Sequence, residues 1–375
     1  RAQGGARFVT GGAGMTIDGQ PVLTTGSGLS AAQLNGTILS ANLPNGIGGA
    51  NNTASGSYAT VAGGAHNIAN AGEATVGGGL DNTANTAATV GGGSGNVASG
   101  NSATVGGGYF NHANGTESVV GGGAFNTAND NYATVSGGFG NEAAGFEVTV
   151  SGGFANEANA IGATVGGGLD NTNSGSYAVV PGGYENLAGG AYAFAAGEHA
   201  QATNNGAFVW SDSSGTTTAS TADNSVTMRA SGGFRLLSGA GTSGVFLAAG
   251  GTSWATISDQ NAKKNFAPVN AEAVLAKLAQ VPVEKWNYKW EKNGDTPNIG
   301  PMAQAFKAAF YPGRDNKSIT TLEFDGVELA AIQGLNQKLE QKQTEITELK
   351  QQNDSLATRL AKLEQLVAAK IGGAQ

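Results

Sequence analysis

The side chains that most often carry out chemistry are few in this sequence. Its 375 residues include no cysteine, which excludes thiolate nucleophiles and thiolate metal sites. The three histidines, His66, His112 and His199, are not clustered, so we predict no metal ion, and no cofactor motif is present. A glycoside hydrolase needs two carboxylates about 5–10 Å apart in a groove. The acidic residues in the part of the chain that holds these histidines are scattered along the sequence. Those acidic residues are Glu117, Glu142, Glu147, Glu157 and Glu185.

Charge is distributed unevenly along the chain. Between Arg7 and Arg229 there is no lysine or arginine, and residues 1–257 carry 4 basic and 13 acidic side chains. Residues 258–375 carry 15 basic and 14 acidic ones in a more varied composition. A surface without cations cannot neutralise phosphates, so we predict no nucleic-acid partner. The change of composition places the main boundary near residue 257. No run of about 18 apolar residues exists, so no membrane-spanning helix is expected.

Residues 53–203 form an internal repeat. The unit reads approximately Gly-x-x-Ala-Thr-Val-Gly-Gly-Gly-x-x-Asn-x-Ala-x and recurs every 15 residues, with one step of 14. Self-similarity at such a fixed period predicts a solenoid. The recurring valines are Val61, Val76, Val90, Val105, Val120, Val135, Val150, Val165 and Val180. The recurring asparagines are Asn67, Asn82, Asn96, Asn111, Asn126, Asn141, Asn156, Asn171 and Asn186.

The composition of the unit predicts the shape of one coil. Ala-Thr-Val is a short β-branched run, and the glycines and asparagine that follow tolerate the left-handed backbone angles of tight corners. Fifteen glycine-rich residues are too few for a pair of helices. We therefore expect two short strands and two turns per coil, stacked as a parallel β-roll. Since one coil buries only one or two valine-sized side chains against the entropy of ordering a glycine-rich backbone, we also expect an obligate oligomer.

The last copy of the repeat is degenerate and carries a resemblance. It reads Ala-Tyr-Ala-Phe-Ala-Ala-Gly-Glu-His-Ala-Gln-Ala over residues 191–202, which resembles the head repeat of YadA-type trimeric autotransporter adhesins. The resemblance implies a left-handed parallel β-roll, three chains around one axis, and display outside a bacterial cell. The upstream copies depart from it, because Gly-Gly-Gly replaces the small-residue corner of that family.

Aromatic residues near one corner of the repeat leave two interpretations open. They fit either a packed seam between sister chains or an exposed carbohydrate-binding stripe, and their spacing does not separate the two. The residues are Tyr109, Phe125, Phe139, Phe154 and Tyr184. Calcium-binding repeats would need a carboxylate in every turn, but aspartate stands at that corner only at positions 81 and 170. Strand propensity explains the recurring threonines more simply than an ice-binding ladder.

The C-terminal part reads as a small mixed domain followed by a coiled coil. Asn270 is expected to cap a helix from about Ala271 to Gln280, the segment from Val283 to Trp290 alternates like a strand, and Pro301 is expected to open a second helix. Apolar residues then recur in heptads, which is typical of a coiled coil, and one polar asparagine in the seam is expected to fix the register. The seam positions are Ile332, Leu335, Leu339, Ile346, Leu349, Asn353, Leu356, Leu360, Leu363 and Val367.

Four motifs in this part carry a second resemblance. They read Ile-Ser-Asp-Gln-Asn-Ala-Lys-Lys-Asn-Phe at 257–266, Val-Pro-Val-Glu-Lys-Trp-Asn-Tyr at 281–288, Ile-Gly-Pro-Met-Ala-Gln at 299–304, and Asp-Gly-Val-Glu-Leu-Ala-Ala-Ile-Gln-Gly-Leu at 325–335. In this order they resemble the C-terminal intramolecular chaperones of phage tail spikes, endosialidases and related bacterial fibres. That family trimerises, templates the folding of the upstream fibre, and then cuts itself off just before a serine.

The resemblance implies that Ser258 is a nucleophile, that Lys263 is its general base, and that the bond between Ile257 and Ser258 is cut. A serine hydroxyl needs a base to take its proton, and a lysine becomes a base only where burial or a like charge lowers its pKa. Lys264 supplies such a charge. Gln260 stands where the family often carries arginine. The alternative is that the serine and the lysine are ordinary loop residues.

These observations predict a mainly β protein with five segments. Residues 1–52 would be a β cap, 53–203 a trimeric β-roll fibre, 204–257 a β neck, 258–330 a small α+β chaperone and self-cleaving serine peptidase domain, and 331–371 a coiled coil.

The predicted function is that of a structural or adhesive extracellular fibre on a cell surface or a virion-like particle. Its partners would be two sister chains and a cell-surface carbohydrate or host receptor. A receptor-binding tail fibre of a phage or injection particle is the alternative, and a polysaccharide-degrading spike is the third.

Overall fold

The chain divides into two units that meet in sequence between Ile257 and Ser258. A computed structural model describes residues 15–17, 20–23, 49–239 and 243–372. The regular elements of the first unit are short β-strands, and the described part of the second contains three α-helices and one small sheet. The expected mainly β solenoid, followed by a small α+β region and a long terminal helix, is therefore confirmed.

Each repeat forms one coil of a parallel β-solenoid, and equivalent residues of successive coils are paired in register. The Ala-Thr-Val segments build one ladder, here called the Thr-Val sheet, and the segments after the asparagine build a second, called the Ala sheet. Successive strands along the Thr-Val sheet are Thr60–Val61, Thr75–Val76, Thr89–Val90, Thr104–Val105, Val119–Val120, Thr134–Val135, Thr149–Val150, Thr164–Val165, Val179–Val180, Phe194–Glu198, Phe208–Ser211 and Val226–Arg229, with Gly183–Tyr184 paired beside Phe194–Glu198. Those of the Ala sheet are Thr53–Ala54, Ile68–Ala69, Thr83–Ala84, Val97–Ala98, His112–Ala113, Thr127–Ala128, Glu142–Ala143, Glu157–Ala158, Thr172–Asn173, Leu187–Ala188, Ala200–Ala202 and Thr218–Ala219.

The solenoid has a third ladder, which the expectation of two strands per coil did not include. One residue per coil, four positions after the buried valine, pairs with its equivalent in the next coil. The Gly-Gly-Gly segment is therefore a path between two ladders rather than a single turn. The residues of this third ladder are Ala50, Ala65, Leu80, Ser94, Tyr109, Ala124, Phe139, Phe154, Leu169 and Tyr184.

The interior of the solenoid is made of small side chains. In the two-residue strands the second residue points inward, so valine from the Thr-Val sheet and alanine from the Ala sheet form columns with no solvent exposure. A second alanine per coil, such as Ala103 and Ala133, completes the core. The narrow interior favours small side chains, and Ser118 and Asn173 are the same columns' buried polar members.

A ladder of buried asparagines holds the corner between the third ladder and the Ala sheet. The Nδ2 of Asn126 donates to the carbonyl oxygens of Gly122 and Gly138, at 2.9 Å each. Its Oδ1 accepts from the backbone N–H of Asn141 in the next coil, at 3.0 Å. The same pattern recurs from Asn67 to Asn186, and all nine asparagines are buried. Each side chain therefore satisfies backbone groups of its own coil and of a neighbouring coil.

Glycine is required where the coils approach most closely. Gly108 has a φ of +97°, and a Cβ at this position would lie 2.1 Å from the carbonyl oxygen of Gly123 and 2.6 Å from Nδ2 of Asn111. A side chain would thus displace the amide that caps the corner, since such distances are far below van der Waals contact. The third glycine of the repeat is a packing requirement as well as a conformational one.

The solenoid continues beyond residue 203, where the repeat ends in the sequence. Phe208–Ser211 and Val226–Arg229 add two further strands to the Thr-Val sheet. A three-stranded antiparallel sheet of Phe234–Leu237, Gly244–Leu247 and Ala255–Thr256 follows.

Near the N-terminus, Met15–Ile17 and Gln20–Leu23 form an antiparallel hairpin within the predicted β cap. Residues 1–14, 18–19 and 24–48 of this segment lie outside the described residues.

In the second unit, helix α1 spans Ala271–Leu278, and the side chain of Asn270 caps it by accepting from the N–H of Ala273, as expected. Strand Val283–Trp286 pairs antiparallel with Asn298–Pro301. Helix α2 spans Ala303–Phe310.

Two expectations for this unit are wrong. Pro301 ends a strand instead of opening the helix, which a two-stranded sheet tolerates because every strand is an edge. The strand at Val283 ends at Trp286, because the carboxylate of Glu291 accepts from the N–H of Tyr288 and turns the chain.

Helix α3 spans Thr321–Gly372 and presents two faces. Val327, Ala331 and Gly334 lie on the buried face of its first turns, and a Cβ on Gly334 would lie 2.3 Å from the carbonyl oxygen of Ala271. Helices α1 and α3 therefore contact each other backbone to backbone at this glycine. The apolar heptad residues lie on a different face, which the single chain leaves uncovered.

We predict that Asn126→Ala weakens the solenoid severely. The substitution leaves the carbonyl of Gly122 and the N–H of Asn141 without their partner, and unpaired buried polar groups cost about 1–3 kcal/mol each. We expect the free energy of unfolding to fall by about 3 kcal/mol, as measured by thermal or denaturant unfolding followed by circular dichroism.

Asn129→Ala is the matched control for this prediction. Asn129 is exposed, and its side chain bonds to the side chains of Asn114 and Glu142 at the surface. Equal losses in the two variants would contradict a structural role specific to the buried ladder.

Candidate functional site

Ser258 and Lys263 are brought into direct contact. The Nζ of Lys263 donates a hydrogen bond to the Oγ of Ser258 at 2.8 Å. Five residues of extended chain would span roughly 17 Å, so the intervening residues must fold back to allow this contact. The pair predicted from the resemblance is therefore joined by a hydrogen bond between its reactive atoms.

A short 3₁₀ turn at Gln260–Ala262 brings the two side chains together. Asp259 caps the turn, since its Oδ1 accepts from the N–H and from the Nδ2 of Asn261, at 2.9 and 3.1 Å. The N–H of Lys263 closes the turn on the carbonyl of Gln260 at 3.2 Å. The Asp-Gln-Asn segment thus positions Ser258 and Lys263, and Gln260 takes part in the turn through its backbone carbonyl.

The surroundings of the pair are polar and open in the single chain. Ser258, Lys263 and Lys264 are all exposed. A nucleophile and a base are therefore within hydrogen-bonding distance, while the dry environment that favours an uncharged lysine is not supplied by this chain alone.

The heptad residues of α3 form a second candidate surface. All predicted seam positions lie on this one helix. The apolar ones are between 44% and 66% exposed, although such residues normally require burial. A continuous uncovered apolar stripe of this length is typical of a coiled-coil seam.

A buried charged cluster fixes the start of α3 on α2. Lys307 and Glu323 are 5% and 7% exposed, and the Nζ of Lys307 donates to Oε2 of Glu323 at 2.5 Å. Arg314 contacts the other carboxylate oxygen at 2.9 Å. Thr320 and Glu323 also exchange bonds at the helix start, the Thr320 N–H donating to Oε2 at 3.1 Å and the Glu323 N–H to Oγ1 at 3.2 Å.

Lys307 above all, followed by the backbone N–H of Thr320, lowers the pKa of Glu323 to about 2. Sequence reasoning did not single out this cluster. Thr-x-x-Glu before a helix is a capping-box pattern that could have indicated its Thr320–Glu323 part.

Comparison with known protein families gives information on the C-terminal unit. Residues 258–313 match the family described as "Chaperone of endosialidase". The similarity begins at Ser258. A search of curated proteins found no match. The C-terminal unit is thus similar to a fibre chaperone, and the solenoid before it fits a tail-type fibre.

The other residues considered for chemistry remain dispersed. His66 and His199 lie at equivalent corners of distant coils, paired with Asp81 at 3.3 Å and Glu185 at 3.2 Å, while His112 lies on the Ala sheet. Among the described residues, no group of three or more histidine, aspartate or glutamate side chains is placed to hold a metal ion.

The structure brings two of the scattered acids into register. Glu142 and Glu157 are paired on adjacent strands of the Ala sheet, on its outward side rather than in a groove. Glu117, Glu147 and Glu185 lie at corners with a positive φ.

For the solenoid and for 243–372, the structure contains no helix that is both long enough and apolar enough to cross a membrane.

We predict that acid weakens the attachment of α2 to α3. Because the pKa of Glu323 is lowered in the folded state, its stabilising contribution is complete above its ordinary pKa and is lost as the pH falls from about 5 towards 2. Glu323→Gln should lower the thermal unfolding midpoint of the C-terminal unit at neutral pH. The midpoint of the variant should also fall less than that of the wild type between pH 5 and pH 2.

The matched control is Glu345→Gln. Glu345 contacts Lys342 at the same distance of 2.5 Å, but both side chains are more than half exposed, and exposed pairs contribute little. An unchanged pH profile in Glu323→Gln would refute the role of the cluster.

Proposed function

We propose that this chain is the protomer of a homotrimeric extracellular fibre that carries its own assembly domain. Residues 258–375 act as an intramolecular chaperone that joins three chains and then removes itself by cutting between Ile257 and Ser258. The solenoid remains as a structural or adhesive fibre. The single observation that supports this proposal most strongly is the 2.8 Å contact between Lys263 Nζ and Ser258 Oγ at the first residue of the chaperone-like region.

The geometry suits cleavage at this bond. With Lys263 uncharged, Nζ takes the proton of the Ser258 hydroxyl, and Oγ attacks the carbonyl carbon of Ile257. The new C–O bond replaces the C–N bond, and the freed amine of Ser258 takes the proton back from Nζ. Water then hydrolyses the ester, leaving a carboxylate on Ile257 and a free amino group on Ser258. Because the reacting groups belong to one chain, proximity supplies much of the rate.

The exposure of the pair links cleavage to assembly. A lysine acts as a general base where its charged form is disfavoured by burial or by neighbouring cations. Since Ser258 and Lys263 are exposed in the single chain, we assign that burial to the sister chains. Cleavage would then follow trimerisation, so that no protomer loses its chaperone before the fibre has formed.

Two surfaces support association of sister chains. One is the uncovered heptad stripe on α3. The other is the outward side of the Thr-Val sheet, where the first residue of every strand from Thr60 to Phe208 is uncharged. The same side of the Ala sheet carries His112, Glu142 and Glu157. This uncharged column can be buried without leaving charges unpaired.

The similarity to an endosialidase chaperone favours one setting for the fibre. A receptor-binding tail fibre of a phage or injection particle is the candidate that this similarity supports, and a bacterial surface adhesin is the other. Genome neighbourhood separates them, because phage structural genes beside this one would identify a virion protein. A polysaccharide-degrading spike has less support, since Glu142 and Glu157 lie outside any groove.

We predict that wild-type protein separates into two fragments on a denaturing gel and that Ser258→Ala remains intact at 37.1 kDa. Lys263→Met should also prevent cleavage, because it removes the base while retaining much of the side-chain length. N-terminal sequencing of the smaller fragment should begin at Ser258.

Lys264→Met is the matched control for the base. It removes the neighbouring charge but leaves the Lys263–Ser258 contact, so cleavage should continue, at a lower rate if the Lys264 charge helps to deprotonate Lys263. An intact wild-type chain, or complete cleavage of Ser258→Ala, would exclude the proposed chemistry.

We predict that the α3 seam is needed for assembly. In the uncleaved Ser258→Ala background, sedimentation equilibrium should give three times the mass of one chain. Adding Leu349→Glu places a charge in the seam and should shift the protein to monomer and aggregate, because a buried unpaired charge costs several kcal/mol.

Gln351→Glu adds the same charge outside the seam and should leave the trimer unchanged. A trimer of normal yield from the Leu349→Glu chain would show that the coiled coil is dispensable.

A further inference from the structure

Five aromatic side chains form a continuous surface on four successive coils of the solenoid. They come from the third ladder and from the corner residue that follows it. All are between 41% and 49% exposed. We call this surface the aromatic platform, and it consists of Tyr109, Phe110, Phe125, Phe139 and Phe154.

The rings of the platform contact one another without interruption. Tyr109 meets Phe110 at 4.5 Å and Phe125 at 5.4 Å, measured between ring centroids. Phe125 lies 5.4 Å from Phe139, and Phe139 stacks on Phe154 at 5.2 Å. With about 4.8 Å between coils, the platform extends for roughly 15 Å along the fibre.

The backbone at this corner has a positive φ in every described coil, whatever side chain it carries. Phe110 and Phe125 have φ values of +51° and +57°, a region that bulky residues rarely adopt. Glycine occupies the same corner in the neighbouring coils, at Gly95 and Gly140. Since glycine or asparagine would adopt this φ at a lower cost, the backbone does not account for the choice of two phenylalanines.

Polar side chains follow the platform residues along the same coils. Two residues after the corner each coil enters the Ala sheet, and a chain of hydrogen bonds joins side chains on and just after its strands. Asn114 Nδ2 donates to Asn129 Oδ1 at 2.9 Å, and Asn129 Nδ2 donates to Glu142 at 2.6 Å. Ser99 joins the other end, donating to Asn114 at 2.8 Å. These coils therefore present exposed amides, a hydroxyl and a carboxylate two to four residues beyond the corner.

The platform does not have the continuity of a seam between sister chains. In other coils the same corner holds Asp81, Asp170 and Glu185, which would bring charges into a seam that followed the fibre axis. The first residues of the Thr-Val strands are uncharged from Thr60 to Phe208 and suit that role better. The platform is instead a local feature, as expected of a binding surface.

We infer that the aromatic platform binds a neutral glycan, an inference that rests on the proposed extracellular fibre and assigns its ligand class. The C–H faces of sugar rings pack on aromatic rings, and the amides and carboxylate of the same coils hydrogen-bond to hydroxyl groups. The absence of lysine and arginine between Arg7 and Arg229 leaves an acidic surface, which repels anionic sugars. Because the protein surface is negatively charged, we expect selectivity for uncharged polysaccharides.

Native affinity electrophoresis of the full chain, as it is produced, tests the inference. The gels contain dextran, mannan or arabinogalactan as neutral probes, or polygalacturonate as the anionic probe. We expect at least one neutral polymer to retard the fibre and polygalacturonate to leave its mobility unchanged. Phe125→Asn and Phe139→Ser should each weaken retardation at least tenfold. Both replacements suit the backbone, since asparagine tolerates the left-handed corner and Ser94 occupies the equivalent ladder position.

Tyr177→Asn is the matched control. Tyr177 is exposed, has a φ of +57° and stacks on Tyr192 at 5.7 Å, but it lies on the other corner of the coil. Retention of binding in this variant supports the platform, and an equal loss refutes it. Failure of all three neutral polymers, or retardation by polygalacturonate alone, also refutes it.

A lower sedimentation mass in Phe125→Asn would assign the platform to a seam and overturn the inference. The cleavage gel and the sedimentation mass of the wild-type sample test the fibre proposal separately. A cleaved trimer without glycan binding would reject this inference alone.

Discussion

The first unit depends on one interaction, the hydrogen bonds of the buried asparagine ladder. Without these amides, the glycine corners would bury carbonyl and N–H groups that no other side chain reaches, and such groups are costly. The asparagine also explains the glycines, because only a residue without a Cβ leaves room for Nδ2 at Gly108. A polar ladder therefore takes over much of the role that a large apolar core has in globular domains, because the apolar cluster inside the solenoid consists of alanine and valine.

A stack stabilised between neighbouring coils is difficult to start. The first coil has no neighbour to receive its asparagine amide, so early intermediates gain little from ordering a flexible backbone. The second unit is built in the opposite way, with local helices, a capped start at Asn270 and a buried ion cluster at Glu323. Helix α3 packs on the rest of this compact unit with one face, and its heptad face is uncovered. The proposed division of labour follows, in which a readily folded domain gathers chains that nucleate slowly.

The sequence predicted the features that repeat or follow local rules. The period of 15, the Asn270 cap and the long terminal helix could all be read from spacing and residue type. The third ladder could not, because a pairing of single residues has no strand-like pattern, and Tyr109 and Phe139 alternate there with alanine and leucine. Nor could the pairing of Glu142 with Glu157, or the close contact at Gly334, since both depend on how separate segments align in space. The proposed catalytic pair was inferred from family resemblance, while the 3₁₀ turn that joins its two members is visible only in the structure.

The corner residues with a positive φ have a consequence for how this protein can change. Tyrosine, glutamate, phenylalanine, histidine, aspartate and serine all occupy them, although the strands and amides beneath remain the same. Their side chains point away from the framework, so a substitution there changes the chemistry of the exposed surface and leaves the coil in place. Insertion or deletion of a whole coil would shift such groups along the axis while preserving the register. The solenoid framework can therefore be kept while its exposed corner side chains vary.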